Sequence, residues 1–193
     1  MSGLAAGAAV ALGGVLSGML WRMPAVGALD AALFRRINRA PAPAWLDARL
    51  RLLRPLGSGW AVWPACAALA LLSPAPALLL AACTLALAGV ERGLKLVVAR
   101  RRPFQDLDDV DVRVRPPADP GFPSGDAARV WLLATALGQW SGAHVLFAAA
   151  AALALVVALG RVRAGVHYPL DVWAGACLGA GTALVWSGLA GAL

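Results

Sequence analysis

The sequence is poor in the residues that build disulfide frameworks and metal sites. Among its 193 residues there are only three cysteines and two histidines. The cysteines (Cys66, Cys83 and Cys177) lie inside apolar blocks, their number is odd and their spacing fits no metal-ligand motif, so neither kind of site is predicted. We interpret them as small buried hydrophobic side chains. No metal, no cofactor and no nucleic acid partner are expected.

Long apolar runs dominate the chain instead. Hydrophobic residues make up 61% of it, in blocks close to the ~20 residues that a helix needs to cross a bilayer. This predicts an all-α integral membrane protein with one domain, residues 1–193. The first block has no basic leader and no convincing cleavage site, so we expect a retained helix and not a signal peptide. The six predicted spans are residues 4–21, 59–73, 76–98, 126–140, 145–160 and 168–190.

Two polar segments interrupt the spans. Over residues 25–58, apolar residues alternate with arginines and the pattern breaks at Pro41 and Pro43, which predicts amphipathic helices on the membrane surface between spans one and two. Residues 99–123 are rich in arginine, aspartate and proline, and a polar loop of this length is usually functional. Its aspartates from Asp106 to Asp111 resemble a cation site only loosely, and we interpret them as a solvated loop.

Six spans place both termini on one side and bring three polar stretches to the other. These are the end of the third span, the start of the fourth and the junction between the fifth and sixth. All 17 lysines and arginines then lie on this second face. By the positive-inside rule the face is predicted to be cytoplasmic, in the cell's inner membrane. The same charges suit anionic lipids, so membrane lipids are expected partners.

The junction from Gly160 to Asp171 contains residues suited to attacking phosphate. Arg161 can hold phosphate oxygens through its planar guanidinium, and His167 can act as a nucleophile. Asp171 follows His167 by one helical turn and can orient the imidazole. The other histidine, His144, is expected on the opposite face as an interfacial residue.

Two further stretches are predicted to reach the same face. Lys95 and Arg102 are about two helical turns apart, so both can point at one anion. Taken alone, basic residues at the end of a span are more often interface anchors. Residues 121–126 lead into a helix and offer a hydroxyl, free N–H groups and a positive helix end, which suit phosphate. Taken alone, they fit an ordinary N-cap by Ser124 or Asp126 equally well.

Together the three stretches resemble the motifs of the type 2 phosphatidic acid phosphatase and vanadium haloperoxidase superfamily. Those motifs are Lys-x6-Arg-Pro, Pro-Ser-Gly-His and Ser-Arg-x5-His-x3-Asp. The matching residues are, motif by motif, Lys95, Arg102 and Pro103; Pro123, Ser124 and Gly125; and Arg161, His167 and Asp171. The resemblance spans about residues 25–190 and implies a six-helix membrane lipid phosphatase that works without metal through a phosphohistidine.

The resemblance also implies a role for each matching residue. His167 is the nucleophile and Asp171 orients it. The residues that bind the phosphate oxygens are Lys95, Arg102, Ser124, Gly125 and Arg161. These roles agree with the reasoning from the residues alone, because phosphoryl transfer mostly needs positioning and positive charge. Glu91, one turn before Lys95, can pair with it.

Two positions depart from the family pattern. Gly160 replaces the serine before Arg161, which is a minor loss. Asp126 replaces the histidine that protonates the leaving oxygen, a contribution of about 10²–10⁴-fold in general acid catalysis. Either Asp126 or another residue performs this step, or the step is unneeded. An aspartate at a helix N-terminus near arginines is a poor acid, so we hypothesise a substrate with a good leaving group, such as a polyprenyl diphosphate.

The leading interpretation is therefore a hydrolase of a lipid phosphate or, preferentially, a lipid diphosphate. A lipid phosphotransferase would use the same residues and pass the phosphoryl group to an acceptor other than water. The alternative from another functional class is a non-catalytic relative that binds phospholipid, whose activity is lost because Asp126 replaces the histidine. Vanadate-dependent halide oxidation is a third alternative, which the membrane-embedded architecture disfavours.

Overall fold

The computed structural model describes residues 2–192. The α-helices of this range are α1 (Ser2–Gly18), α2 (Pro24–Asn38), α3 (Ala44–Leu53), α4 (Gly59–Ala70), α5 (Pro74–Val98), α6 (Pro103–Asp106), α7 (Gly125–Ser141), α8 (His144–Arg163) and α9 (Pro169–Ala190). Short 3₁₀ turns follow α1 and α3. Residues 2–192 contain no β-strand, which confirms the predicted all-α class.

Four helical segments of the described chain are long and apolar enough to cross a membrane. They are Gly3–Arg22, Pro74–Asp106, His144–Arg163 and Pro169–Ala190, at the positions of the first, third, fifth and sixth predicted spans. The prediction of an integral membrane protein is thereby confirmed. Helices α4 and α7 have 12 and 17 residues, fewer than the ~20 of a full crossing, so six spans remain a prediction.

Helices α2 and α3 form where the alternating apolar and basic pattern predicted them. Pro24 opens α2 at its first turn, and the chain leaves helical structure around Pro41 and Pro43, because proline cannot continue a helix. Phe34 of α2 is buried against Tyr168, with the ring centroids 5.5 Å apart. Both helices also pack against α8. Their location on a membrane surface stays a prediction.

Helix α9 packs directly against α1 on one side and α7 on another. A Cβ atom added to Gly179 would lie 1.9 Å from the carbonyl oxygen of Ala128, and one added to Gly181 would lie 2.5 Å from that of Gly7. The helix backbones therefore touch, as small residues at membrane helix interfaces allow. This contact sets the position of the N-terminal end of α9 beside that of α7.

The C-terminal ends of α5 and α8 meet the N-terminal ends of α7 and α9 at one end of the bundle. The loop after α5 is tied there by backbone hydrogen bonds, from Gly121 N–H to the Arg100 carbonyl (2.8 Å) and from Ser124 N–H to the Asp171 carbonyl (2.9 Å). The three polar stretches singled out in the sequence thus converge, as the predicted span order required.

Candidate active site

His167 lies between α8 and α9 and is buried, with 3% of its surface exposed. Its Nε2 atom is 3.2 Å from Nη1 of Arg102, and its Nδ1 atom is 3.6 Å from Oδ2 of Asp171. Burial, followed by the positive charge of Arg102, holds the pKa of His167 well below its ordinary value. The imidazole is therefore neutral near pH 7, which is the form that a nucleophilic nitrogen requires.

Asp171 lies on the Nδ1 side of the imidazole and is itself held by two hydrogen bonds. It occupies the third position of α9, and its Oδ2 atom accepts a hydrogen bond of 2.8 Å from the backbone N–H of Tyr168. Its Oδ1 atom accepts a hydrogen bond of 2.7 Å from Arg100. His167 and Asp171 therefore lie close to each other, as predicted, but they do not form a hydrogen bond, because 3.6 Å is beyond hydrogen-bond length.

Arg100 is a buried brace for Asp171 that the sequence did not single out. Its guanidinium also donates to Asp30 of α2 at 2.6 Å. It is stacked between two aromatic rings, 4.6 Å from the centroid of Trp21 and 4.3 Å from that of Tyr168. Two carboxylates and two aromatic faces together fix this charge in one orientation.

The sequence offered little indication that Arg100 would hold Asp171. Arg100 is the first of three consecutive arginines, and the apolar pattern gave no reason to separate it from Arg101, which is exposed and pairs with Asp106. Asp30 sits 70 residues earlier in α2 and also accepts the backbone N–H of Leu170 at 3.1 Å. Only the folded chain brings the two together.

Lys95 and Arg102 of the first motif point to the same place, as predicted. Arg102 is 2% exposed and donates to the carbonyl of Val166 and to the carboxylate of Asp119. Lys95 is also buried, forms the expected ion pair with Glu91 at 3.2 Å, and contacts the same Asp119. Arg102 thus lies at Nε2 of the histidine, and Lys95 is joined to Arg102 through Asp119.

Arg161 of the third motif completes the cationic group. It lies in the last turn of α8, is buried, and places Nε 3.0 Å from Oδ2 of Asp126. Its positive charge acts on His167, as do those of Lys95 and Arg102. The structure therefore brings all three predicted phosphate-binding cations around the imidazole.

Ser124 and Gly125 form the start of α7 and are buried. The Ser124 hydroxyl accepts from the Ala127 N–H at 3.5 Å, so it serves as the N-cap of the helix. A Cβ atom on Gly125 would lie 2.1 Å from Oε1 of Glu91, so any larger residue there would displace the Glu91 carboxylate, which pairs with Lys95 and Arg129. The positive end of α7 is thereby directed towards the cationic group.

Asp126 is held by two arginines. Besides Arg161, it contacts Arg129 at 3.4 Å, and Arg129 also donates to Glu91 at 2.8 Å and to the carbonyl of Gly57 at 3.0 Å. A carboxylate between two guanidinium groups serves as their acceptor. The geometry places Asp126 beside the candidate site in the role of a counter-ion.

The remaining candidates from the sequence lie away from this group. His144 begins α8, at the opposite end of that helix from Arg161, as predicted. Three of the four aspartates at 106–111, namely Asp106, Asp109 and Asp111, pair with arginines, for example Asp109 with Arg35 and Arg39 at 3.2 and 2.9 Å. Within the described residues, no cluster of three or more His, Cys, Asp or Glu side chains is placed to hold a metal ion.

Fold and site together define a class: an all-helical membrane protein with a buried, neutral histidine ringed by cations at one end of its bundle. The chain belongs to the PAP2 superfamily, whose family model matches residues 76–192. Members of this family are phosphatases. The resemblance inferred from the three motifs is thus confirmed.

Two solved structures resemble the chain. LpxE from Aquifex aeolicus is 30% identical, with a TM-score of 0.74 over 80% of this chain and 92% of that protein. A transmembrane PAP2-type phosphatidylglycerolphosphate phosphatase from Bacillus subtilis is 20% identical, with a TM-score of 0.83 over 97% of both chains, and shows the shared fold. No curated protein sequence matches the chain significantly.

Proposed function

We propose that the protein hydrolyses the phosphate ester or diphosphate of a membrane lipid through a phosphohistidine at His167. The observation that carries this proposal is the buried imidazole, with Nε2 facing Arg102 and Nδ1 facing Asp171. One nitrogen is thereby directed to the phosphate subsite and the other to a carboxylate. That is the arrangement in which a neighbouring group orients a nucleophile.

In this reaction Nε2 of His167 attacks phosphorus and the bond from phosphorus to the leaving oxygen breaks. The imidazolium that forms is stabilised by Asp171. Lys95, Arg102 and Arg161 hold the equatorial oxygens, where charge gathers in the transition state. Water then attacks the phosphohistidine, which releases inorganic phosphate and restores the neutral histidine. No step draws on a metal ion.

The state of Asp126 supports a preference for a lipid diphosphate of the polyprenyl type. Its carboxylate is occupied by contacts with Arg129 and Arg161, so in this proposal Asp126 is a counter-ion and not the general acid for an alkoxide leaving group. When the terminal phosphorus of a diphosphate is attacked, the leaving group is the lipid monophosphate, which needs no such proton because it departs as a stable anion. The site therefore suits cleavage of a diphosphate better than cleavage of a simple monoester.

The first test compares phosphate release from a polyprenyl diphosphate and from phosphatidic acid, with purified protein in detergent. The matched pair of variants is His167→Ala and His144→Ala, because these are the two histidines of the chain and His144 lies at the far end of α8. We expect His167→Ala to abolish release, His144→Ala to retain it, and the diphosphate to be the faster substrate.

Each other outcome of this test has a defined meaning. Release that survives in His167→Ala contradicts the phosphohistidine. A clear preference for phosphatidic acid contradicts the diphosphate assignment and leaves the hydrolase. No release from either lipid by the wild-type protein contradicts hydrolysis and points to the phosphotransferase or to the non-catalytic phospholipid-binding alternative.

A further inference from the structure

Asp119 makes contacts that neither the motifs nor the proposed reaction explain. Its carboxylate reaches both cations of the first motif: Oδ2 contacts Nζ of Lys95, and Oδ1 accepts a hydrogen bond of 2.9 Å from Arg102. Its backbone carbonyl accepts a further bond of 2.8 Å from Nε of Arg102. The side chain spans the gap between the two cations as an oxyanion would.

The Asp119 carboxylate occupies donors of the two cations that we propose to hold the reacting phosphate, Nζ of Lys95 and Nη2 of Arg102. Arg102, which binds it, also lies 3.2 Å from Nε2 of His167. A carboxylate and a phosphate both present oxygens at the spacing of a guanidinium fork. The two anions therefore compete for the same donors, and Lys95 and Arg102 cannot satisfy both fully.

Charge and exposure favour an exchange. The Asp119 side chain is 51% exposed, whereas the side chains of Lys95 and Arg102 are 11% and 2% exposed. Burial opposes ionisation of Asp119, but the hydrogen bonds and charges of Lys95 and Arg102 together outweigh it and leave the pKa below its ordinary value. The carboxylate is charged at neutral pH, while a phosphate group brings about −1.5 to −2.

The backbone around Asp119 allows the side chain to leave. Residues 107–124 contain no helix or strand, and Asp119 lies between Pro117 and Pro120. The chain is anchored again at Gly121 and Ser124 by the backbone hydrogen bonds described above. A rotation of one exposed side chain into water therefore removes the carboxylate from Lys95 and from Nη2 of Arg102 without disturbing the start of α7, while Nε of Arg102 stays bound to the Asp119 carbonyl.

We propose that Asp119 is an intramolecular competitor for the phosphate subsite, pairing with Lys95 and Arg102 between turnovers and yielding them to the phosphate group of the substrate. The inference rests on the proposed function, because it takes this cation pair as the phosphate subsite. An anion must then bind Lys95 and Arg102 more strongly than Asp119 does, so weakly charged anions fail to displace it. After the reaction, the return of Asp119 to the two cations helps to expel the inorganic phosphate product.

The test measures binding of inorganic phosphate to purified protein by calorimetry, which needs no turnover. The variants are Asp119→Asn, Asp119→Glu and the matched control Asp108→Asn. Asp108 lies in the same loop and forms no side-chain hydrogen bond or ion pair within residues 2–192. We expect phosphate to bind at least about tenfold more tightly to Asp119→Asn than to the wild type. Asp119→Glu and Asp108→Asn should bind it as the wild type does.

Equal or weaker phosphate binding by Asp119→Asn overturns the inference and leaves Asp119 as a plain loop anchor. If Asp119→Asn gives no cooperative thermal unfolding, Asp119→Ser takes its place under the same criterion. Absence of phosphate binding in the wild type and every variant contradicts the phosphate subsite, and with it the proposed function. Tighter binding by Asp119→Asn without any lipid turnover keeps the inference and rejects the hydrolase.

Discussion

Arg100 acts on the reacting histidine through one intermediate side chain. It does not reach His167; it holds Asp171 at 2.7 Å, and Asp171 faces Nδ1 of the imidazole. Its Nη2 atom donates a second hydrogen bond, of 2.6 Å, to Asp30. A residue in this position determines orientation, and orientation errors of about 1 Å are known to cost roughly 10²-fold in rate.

We therefore expect Arg100→Gln to lower kcat by about 100-fold with little change in KM, because the imidazole loses its oriented partner while the phosphate-binding cations remain. Added guanidinium ion at millimolar concentration should restore part of the rate by filling the space between Asp30 and Asp171. The measurement is phosphate release across a guanidinium titration.

The control for this experiment is Arg101→Gln, the exposed neighbour in the same motif, which should keep the wild-type rate. A merely structural role for Arg100 predicts a lower unfolding temperature and no rescue. That result would contradict the positioning role.

At the scale of the helices, the packing of α7 against α9 sets the geometry of the site. Ser124 opens α7 and Asp171 lies in the first turn of α9, and a backbone hydrogen bond joins the two. Further along, the helices touch where Gly179 faces the carbonyl of Ala128. The contact leaves no room for a methyl group.

Gly179→Ala is accordingly expected to destabilise the protein by about 1–3 kcal/mol, the usual cost of overpacking. Gly89→Ala is the matched control, because a Cβ atom on Gly89 of α5 meets nothing within 4 Å. It should be neutral or stabilising by about 0.5–1 kcal/mol, since alanine favours the helix. Thermal unfolding in one detergent measures both. An equal effect of the two substitutions would show that α7 and α9 are not closely packed.

The sequence predicted where the helices lie, but it did not predict the contacts between distant segments of the chain. The apolar blocks predicted the elements within a few residues, and in the structure Pro24, Pro74 and Pro169 each open a helix. The predicted segments 59–73 and 126–140 match α4 to within three residues and α7 to within one residue at each end. The roles of Arg100 and Asp119 were not predicted, because their partners are defined only by the fold.

For the whole molecule, the distribution of charge predicts which way the site faces. The turns at residues 71–73 and 142–143 carry no lysine or arginine, while the site end collects them. In the orientation we propose, the site end is cytoplasmic.

Cysteine labelling tests this orientation, in a variant whose three native cysteines are replaced by alanine. Cysteine replaces Arg115, which is exposed in the loop at the site end, or His144, which is exposed at the opposite end. An impermeant maleimide should label the His144→Cys protein in intact cells, and the Arg115→Cys protein only after permeabilisation. The reverse pattern would place the site outside the cytoplasm.

The brace around Arg100 also determines how much of the chain a working catalyst requires. Trp21 and Asp30 lie upstream of residues 76–192, the region matched by the family model, yet both contact Arg100. A fragment trimmed to that region would contain every motif residue and lack one aromatic face and one carboxylate of the brace. Grafting or minimising this site for engineering therefore has to start before Trp21, because the smallest competent unit is larger than the region by which the family is recognised.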